Sequence, residues 1–200
     1  HMAGYSSLYR KNKEFATAGY YKVHLERYDI DVELTATERV GLHNYIFPDA
    51  EKSRIIIDLG EGSADRPTET YIKKVNDTLF EGHRFSTGWA RDQREYFSLI
   101  ISKPVSDFII YDRHKKFKGI ERKGDYVKGF LEFSTEKDEK IMVKMGISTV
   151  SSKNALENMM IELPHWDFDR VKKNAEQKWE NELAKIKIKT QDKKKKKVFY

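Results

Sequence analysis

Two short stretches decide the fold class of this chain: YKVHLE at residues 21–26 and IDVELTA at residues 30–36. In both stretches apolar residues occupy every second position, and polar or charged residues lie between them. A period of two places one side of a segment in a core and the other side in water, as in a half-buried β-strand. We therefore predict a strand at each stretch.

Strand-like runs continue along the chain to about residue 148, separated by breaks such as GEGSADRP and SKPVSD. The runs are RVGLHNYIFP, RIIIDLG, TYIKKV, REYFSLIIS, DFIIYD, YVKGFLEFS and KIMVKMGIS. The three successive isoleucines of RIIIDLG predict a strand that is buried on both faces. Many short strands without an intervening helix favour a mainly β fold, an antiparallel β-sandwich, over βαβ units.

The pattern changes to a helical period after residue 150. SSKNALENMMIEL offers Ser151 or Ser152 as an N-cap, and Pro164 ends the predicted helix. The following segment, WDFDRVKKNAEQKWENELAKIKI, has Asp167 as its predicted N-cap. Its apolar stripe must pack against the sandwich or against a partner domain; it consists of Val171, Ala175, Trp179, Leu183 and Ile186.

The net charge of +6 comes from the end of the chain. Residues 185–200 hold eight lysines and Asp192, a net charge of +7, which leaves about −1 for residues 1–184. We therefore expect no nucleic-acid partner, since a terminal lysine run is usually a solvated linker. The sequence contains no cysteine, no recognisable signal peptide and no membrane-spanning run.

Familiar catalytic motifs are absent from the sequence. The six histidines show no metal-ligand spacing, and no P-loop, GxSxG or GxGxxG motif occurs. With 32 acidic residues, neighbouring carboxylates arise by chance and are a weak sign of acid–base catalysis. Asn76-Asp77-Thr78 fits a glycan acceptor, but matches of this length are common.

The most distinctive stretch is GHRFSTGWARDQREYF at residues 82–97. It brings Arg84, Phe85 and Trp89 together beside a strongly alternating strand. Aromatic rings stack on the C–H faces of sugars and charged groups fix hydroxyls, so these three residues are our candidate substrate-binding site. The same residues would also suit a strand and turn whose tryptophan fills the core.

The segments AGYYKVHLERYDIDVELTATERVGLHNYIFP, RIIIDLG, FSTGWARDQREYF and PHWDFDRVKKNAEQKWENELAKI together closely resemble family 92 of the glycoside hydrolases. The resemblance runs in continuous order from about Tyr5 to Tyr200. It implies a supersandwich-like β-sandwich domain at residues 1–164 and a linker helix at 165–187. Residues 188–200 would then be a basic linker and the start of an (α/α)6 catalytic barrel, with Val198 opening its first helix.

Family 92 comprises exo-acting α-mannosidases of bacteria, many of them specific for α-1,2 linkages. The resemblance implies an inverting hydrolysis in which a glutamate is the general acid and an aspartate the general base. Calcium would take part, and the site would lie at the interface with the barrel. We therefore assign no catalytic residue and no calcium ligand to this chain, which we expect to be inactive alone. It would serve as a scaffold and as one wall of the mannose site.

The expected partners are α-mannosides or N-glycans, bound by the whole enzyme, and the catalytic barrel. An uncovered barrel-facing surface would expose apolar area, so self-association of the chain is also expected. The parent enzyme is expected to be secreted, periplasmic or attached to a bacterial surface. Two alternatives stay open: a carbohydrate-binding module that acts alone, and a purely structural sandwich.

Overall fold

A computed structural model describes residues 4–199, with the side chain of residue 199 excluded. In this range a 3-10 turn at Lys11–Lys13 precedes thirteen strands. The strands are β1 Glu14–Thr17, β2 Tyr20–Leu25, β3 Ile30–Ala36, β4 Val40–Phe47, β5 Ala50–Asp58, β6 Arg66–Lys74, β7 Leu79–Thr87, β8 Gln93–Ile101, β9 Asp107–Asp112, β10 Lys115–Phe117, β11 Glu121–Gly124, β12 Val127–Thr135 and β13 Glu139–Ser148. Three helices follow: α1 Ser152–Glu162, α2 Phe168–Leu183 and α3 Lys193–Phe199.

The strands form two antiparallel sheets. The large sheet has nine strands in the order β1-β2-β3-β4-β13-β8-β7-β6-β11, and the small sheet has four in the order β10-β9-β12-β5. Every strand pair in both sheets is antiparallel. The mainly β, antiparallel sandwich fold that the alternation predicts is therefore confirmed.

The core lies between the two sheets. Phe80, Leu99 and Ile141 project from the large sheet towards Ile110 and Leu131 of the small sheet, and all five are buried. Each of these residues occupies an inward-facing position of its strand, so the apolar residues that recur at every second position in the sequence are the ones that form the core. Burial of this apolar surface is the main source of stability for such a sandwich.

The helices cover the opposite face of the large sheet. Met159 of α1 and Val171 of α2 pack with Val40 and Leu42 in a second buried cluster. Helix α1 lies close to the sheet at Gly146, where a Cβ atom would collide with the carbonyl oxygen of Ala155. The molecule therefore has three layers: helices, large sheet and small sheet.

The caps of α1 and α2 agree with the prediction. The Ser151 side chain accepts a hydrogen bond from the Asn154 amide, and Asp167 accepts one from the Arg170 amide. Along the predicted α2 stripe, however, burial ends early. Ala175 is buried, whereas Trp179 is 52% exposed and Ile186 lies beyond the last helical residue.

The lysine run is helical, in contrast to the prediction of a linker that leads to a helix at Val198. Helix α3 begins at Lys193, because Asp192 Oδ1 accepts the amides of Lys194 and Lys195 and lysine is a good helix former. Tyr200, which the prediction also places at the start of that helix, lies outside the described residues. None of the helices in residues 4–199 has the length and apolar character needed to cross a membrane.

Candidate functional site

Arg84 lies on β7, on the face that carries the core, and it holds a loop in place. Its Nη1 and Nη2 atoms donate to the two carboxylate oxygens of Asp65 at 2.5 and 3.0 Å, and its Nε donates to the carbonyl of Leu59 at 3.0 Å. The paired, forked geometry is the strong form of an arginine–carboxylate interaction. Arg84 therefore fixes both ends of the segment from Leu59 to Asp65.

The charge state of Asp65 reflects this contact. Hydrogen bonding to the Arg84 guanidinium lowers the pKa of Asp65 from its ordinary value to about 2. Asp65 is thus fully ionised at neutral pH and neutralises the arginine. An arginine with three donors engaged in this way is a positioning residue for the loop.

Phe85 is the next residue of β7, so strand alternation turns it to the opposite face of the large sheet. There it stacks on His83 with ring centroids 4.3 Å apart and meets the edge of Tyr96 at 5.4 Å. The Arg94 guanidinium lies 5.4 Å from its ring centroid. The Phe85 ring is therefore surrounded by neighbouring side chains and belongs to an aromatic cluster on the surface of the large sheet.

Trp89 lies in the turn between β7 and β8 and is 99% exposed. The structure thus excludes the alternative in which this tryptophan fills the core. The turn rests on the loop that Arg84 holds: at Gly88, a Cβ atom would come within 2.9 Å of both Ala64 O and Asp65. Only glycine permits this approach, and it places the indole at the tip of the hairpin with both ring faces free for a ligand.

The three predicted site residues do not converge. Arg84 faces the core side, Phe85 faces the helix side, and Trp89 extends beyond the end of the strand. Sequence reasoning missed Asp65, the partner that fixes Arg84. Its segment, GEGSADRP, indicated only a break between strands, although an acidic residue in a glycine-rich loop was the available signal.

The described carboxyl groups whose pKa values are clearly shifted do not show the shift expected of a glycosidase general acid. A general acid needs a carboxyl group whose pKa is raised. Every Asp and Glu in residues 4–199 whose pKa departs clearly from its ordinary value has it lowered; these are Glu33, Glu38, Asp58, Asp65, Glu69, Glu139 and Glu162. Hydrogen bonds to neighbouring donors outweigh the effect of burial in these groups.

Residues 4–199 also contain no cluster of three or more His, Cys, Asp or Glu side chains that could hold a metal ion. Calcium takes six to eight oxygen ligands, most of them carboxylates and carbonyls. The described residues thus offer calcium no such cluster of side chains, and no catalytic step on this chain is derived through a metal ion.

Comparison with known families identifies the two-sheet sandwich and the helices that follow it as parts of a glycosyl hydrolase. Residues 1–148 match the glycosyl hydrolase family 92 N-terminal domain, and residues 154–200 match the family 92 catalytic domain. The chain belongs to glycosyl hydrolase family 92. The division between the two matches falls between the last strand and α1.

Solved structures and a curated relative agree with this assignment. A family 92 α-mannosidase from Bacteroides thetaiotaomicron is 27% identical and superposes with a TM-score of 0.91, over 98% of this chain and 28% of that one. An inverting family 92 mannosidase from the same organism, 20% identical with a TM-score of 0.79 over 92% of this chain and 24% of its own, shares the fold. An uncharacterized secreted glycosidase of Arthroderma benhamiae is 24% identical over 88% of this chain and 26% of its own length. The chain thus spans about a quarter of the length of these relatives.

Proposed function

We propose that this chain is the N-terminal part of an inverting, calcium-dependent exo-α-mannosidase of the α-1,2 type, which removes terminal mannose from N-glycans or mannans. The observation that carries the proposal is the superposition, at a TM-score of 0.91, on an α-mannosidase of which this chain covers 28%. The chemistry would be performed by the part of the enzyme that corresponds to the remaining length of these relatives.

In this proposal the chain supplies no reacting group. Inversion requires one carboxylic acid that protonates the leaving group and one carboxylate that activates water, about 6.5–9.5 Å apart. The seven carboxyl groups whose pKa departs clearly from its ordinary value are all lowered, which supports a location of that pair outside residues 4–199. Calcium, if bound by the whole enzyme, would likewise be held by residues outside this range.

The role that we propose for this chain is to build one wall of the mannose site with Trp89. Its indole is free at the tip of a hairpin, whose base is fixed by the contact of Gly88 with the Arg84-bound loop. A rigidly held, exposed tryptophan suits stacking on the C–H face of a pyranose. Arg84 would contribute through its support of the loop, and Phe85 through the packing of the strand.

The test is a Trp89→Ala substitution in the full-length enzyme, assayed on an α-1,2-linked mannobioside. We expect kcat/KM to fall about tenfold, mainly through KM, because ring stacking contributes on the order of 1 kcal/mol. Trp89→Phe should keep most of the activity, and Ile120→Ala, which shortens another exposed apolar side chain, should leave it unchanged. Unchanged kcat/KM and unchanged stability in Trp89→Ala would remove Trp89 from the site.

The helix layer supports a second part of the proposal, which is that it packs against the catalytic barrel. Apolar side chains on α1, α2 and the segments beside them are exposed to water: Val150, Met160, Ile161, Trp179 and Ile186. Such a surface marks an interaction site in a soluble protein. We expect concentration-dependent self-association of the isolated chain by light scattering; a clean monomer at high concentration would contradict this.

A carbohydrate-binding module that acts alone is the second candidate, favoured by the exposure of Trp89. Calorimetry of the 200-residue chain with α-mannobiose separates the two. Millimolar or tighter affinity, lost in Trp89→Ala, would support the module, whereas binding only in the whole enzyme would support the wall. The description of one relative as secreted also supports export of the parent enzyme.

A further inference from the structure

A basic surface lies at the β9–β10 hairpin and the strand that follows it. Residues 113–123 contain six basic residues and Glu121, a local net charge of +5. This charge is hidden in the total for residues 1–184, which is close to zero. It is therefore a local feature of the folded body, distinct from the lysine run at residues 193–197.

The surface forms an open hollow of about 850 Å³. Its lining consists of Asp112, Arg113, His114, Lys115, Phe117 and Arg122. The lining thus carries three permanent positive charges and one carboxylate, and one of these cations, Arg113, is also paired with Asp125 at 3.0 Å. That carboxylate, Asp112, is already engaged, since it accepts the Tyr126 amide at 3.1 Å and lies 3.4 Å from Arg122 Nη2.

Arg122 carries the most specific sign of a ligand. Its guanidinium lies 3.8 Å from the centroid of the Phe117 ring, which holds the planar group in a fixed orientation. Its Nε is buried and has no hydrogen-bond partner among the described residues. Because this Nε is inaccessible to solvent, an anion in the hollow would meet the rest of the guanidinium, whose side chain is 36% exposed and held in one orientation by Phe117.

The hollow lies at the same end of the sandwich as Trp89. The Arg113 guanidinium lies 4.4 Å from the Tyr126 ring centroid, and Tyr126 packs against Gly60. Gly60 belongs to the loop that Arg84 holds, whose other end, Asp65, supports Gly88 and the turn that carries Trp89. One loop thus separates the basic hollow from the exposed indole.

We propose that this hollow binds anionic groups, such as phosphate, sulfate or carboxylate, on a glycan chain whose sugar residues reach Trp89. The choice of a glycan rests on the proposed function. The recognition of an anion rests only on the residues of the hollow. Within that function an anionic polysaccharide is the expected partner, and a nucleic acid is the alternative that the experiment tests. Arg122 already occupies one face of Phe117, and Arg113 occupies one face of Tyr126.

The experiment uses the 200-residue chain with Lys193 to Lys197 replaced by serine, so that the tail cannot bind the probe. Fluorescent dextran sulfate, neutral dextran of the same length and single-stranded DNA are the probes. We expect salt-sensitive binding of dextran sulfate, no binding of neutral dextran and weaker binding of DNA. Stronger binding of DNA than of dextran sulfate would overturn the choice of partner.

Two pairs of substitutions that remove equal charge test the site itself. Lys115→Gln with Arg122→Gln removes two cations that line the hollow, and should weaken dextran sulfate binding about tenfold to a hundredfold, as expected for lost charge-assisted bonds. Lys116→Gln with Lys118→Gln removes two neighbouring cations that do not line it, and should weaken binding less than about threefold. Equal losses for the two pairs would overturn the proposal in favour of a general charge effect.

Single substitutions guard against unfolding and separate the two proposals. Lys115→Gln alone changes an exposed side chain, so the fold should persist while binding weakens. Trp89→Ala should weaken dextran sulfate binding less than Lys115→Gln with Arg122→Gln does, because the salt-sensitive part of the affinity comes from the cations of the hollow. If Lys115→Gln has no effect, the hollow is not the site, whatever the outcome for Trp89 in the mannosidase assay.

Discussion

Replacing Arg84 by methionine tests the contact that supports the candidate site. The arginine and Asp65 side chains are only 16% and 19% exposed, and three donors of the guanidinium are lost together. Breaking a fully buried pair costs about 3–5 kcal/mol, whereas an exposed pair contributes under about 1 kcal/mol. We expect a loss of about 2 kcal/mol in the free energy of unfolding, measured by urea denaturation at pH 7.

The pH dependence gives an independent measure of the same contact. The folded-state pKa of Asp65, about 2, lies below the ordinary value near 3.9, so its stabilisation is present above pH 4 and is lost as the pH falls towards 2. About half of it should be lost at pH 3. Arg84→Met and Asp65→Asn should both abolish this part of the acid sensitivity, because each removes the ionised pair.

A matched control separates this contact from a general effect of charge. Arg113 also pairs with an aspartate, Asp125, but the two side chains are 60% and 68% exposed. Arg113→Met should therefore change the free energy of unfolding by less than about 0.5 kcal/mol. If Arg84→Met is no more harmful than this control, or keeps the wild-type loss of stability between pH 4 and pH 3, the contact does not support the loop.

Three further substitutions test how the helices pack on the large sheet. Gly146→Ala should cost about 2–3 kcal/mol in a urea titration, because its Cβ would collide with the backbone of Ala155 on α1; a near-neutral result would contradict the close approach. Gly19→Ala adds a side chain at φ +83°, 2.9 Å from the Cβ of Ala175, so amide exchange should accelerate in α2 and not in the sheets. Lys144→Met concerns a buried lysine whose pKa is lowered by burial. The free energy of unfolding of the wild type should rise as the pH rises towards the ordinary lysine pKa near 10.4. An equal change in the free energy of unfolding of both proteins between pH 7 and pH 9.5, measured by urea titration, would refute this.

Much of the fold follows from the local pattern of the sequence. The alternation in β2 and β3 predicts strands because core residues recur at every second position. The side chains of Ser151 and Asp167 predict helix starts because each satisfies a free amide. These features depend on neighbours in the chain, so the sequence alone reveals them.

Other features depend on long-range placement and could not be predicted. The isoleucines at 55–57 suggest burial on both faces, yet β5 is an edge strand of the small sheet and Ile56 is only partly buried. Arg84 and Phe85 are adjacent in sequence but face opposite sides, and the partner Asp65 comes from a distant loop. The basic hollow was missed because a charge summed over residues 1–184 conceals a local excess at residues 113–123.

The most direct test of the account is mannose release from an α-1,2-mannobioside by the purified 200-residue chain, with calcium present. We predict no release above the spontaneous rate, because the chain spans about a quarter of the length of its relatives and its clearly shifted carboxyl groups have lowered pKa values, opposite to the shift of a general acid. Release that scales with protein concentration and disappears on substitution of one Asp or Glu of this chain would contradict it.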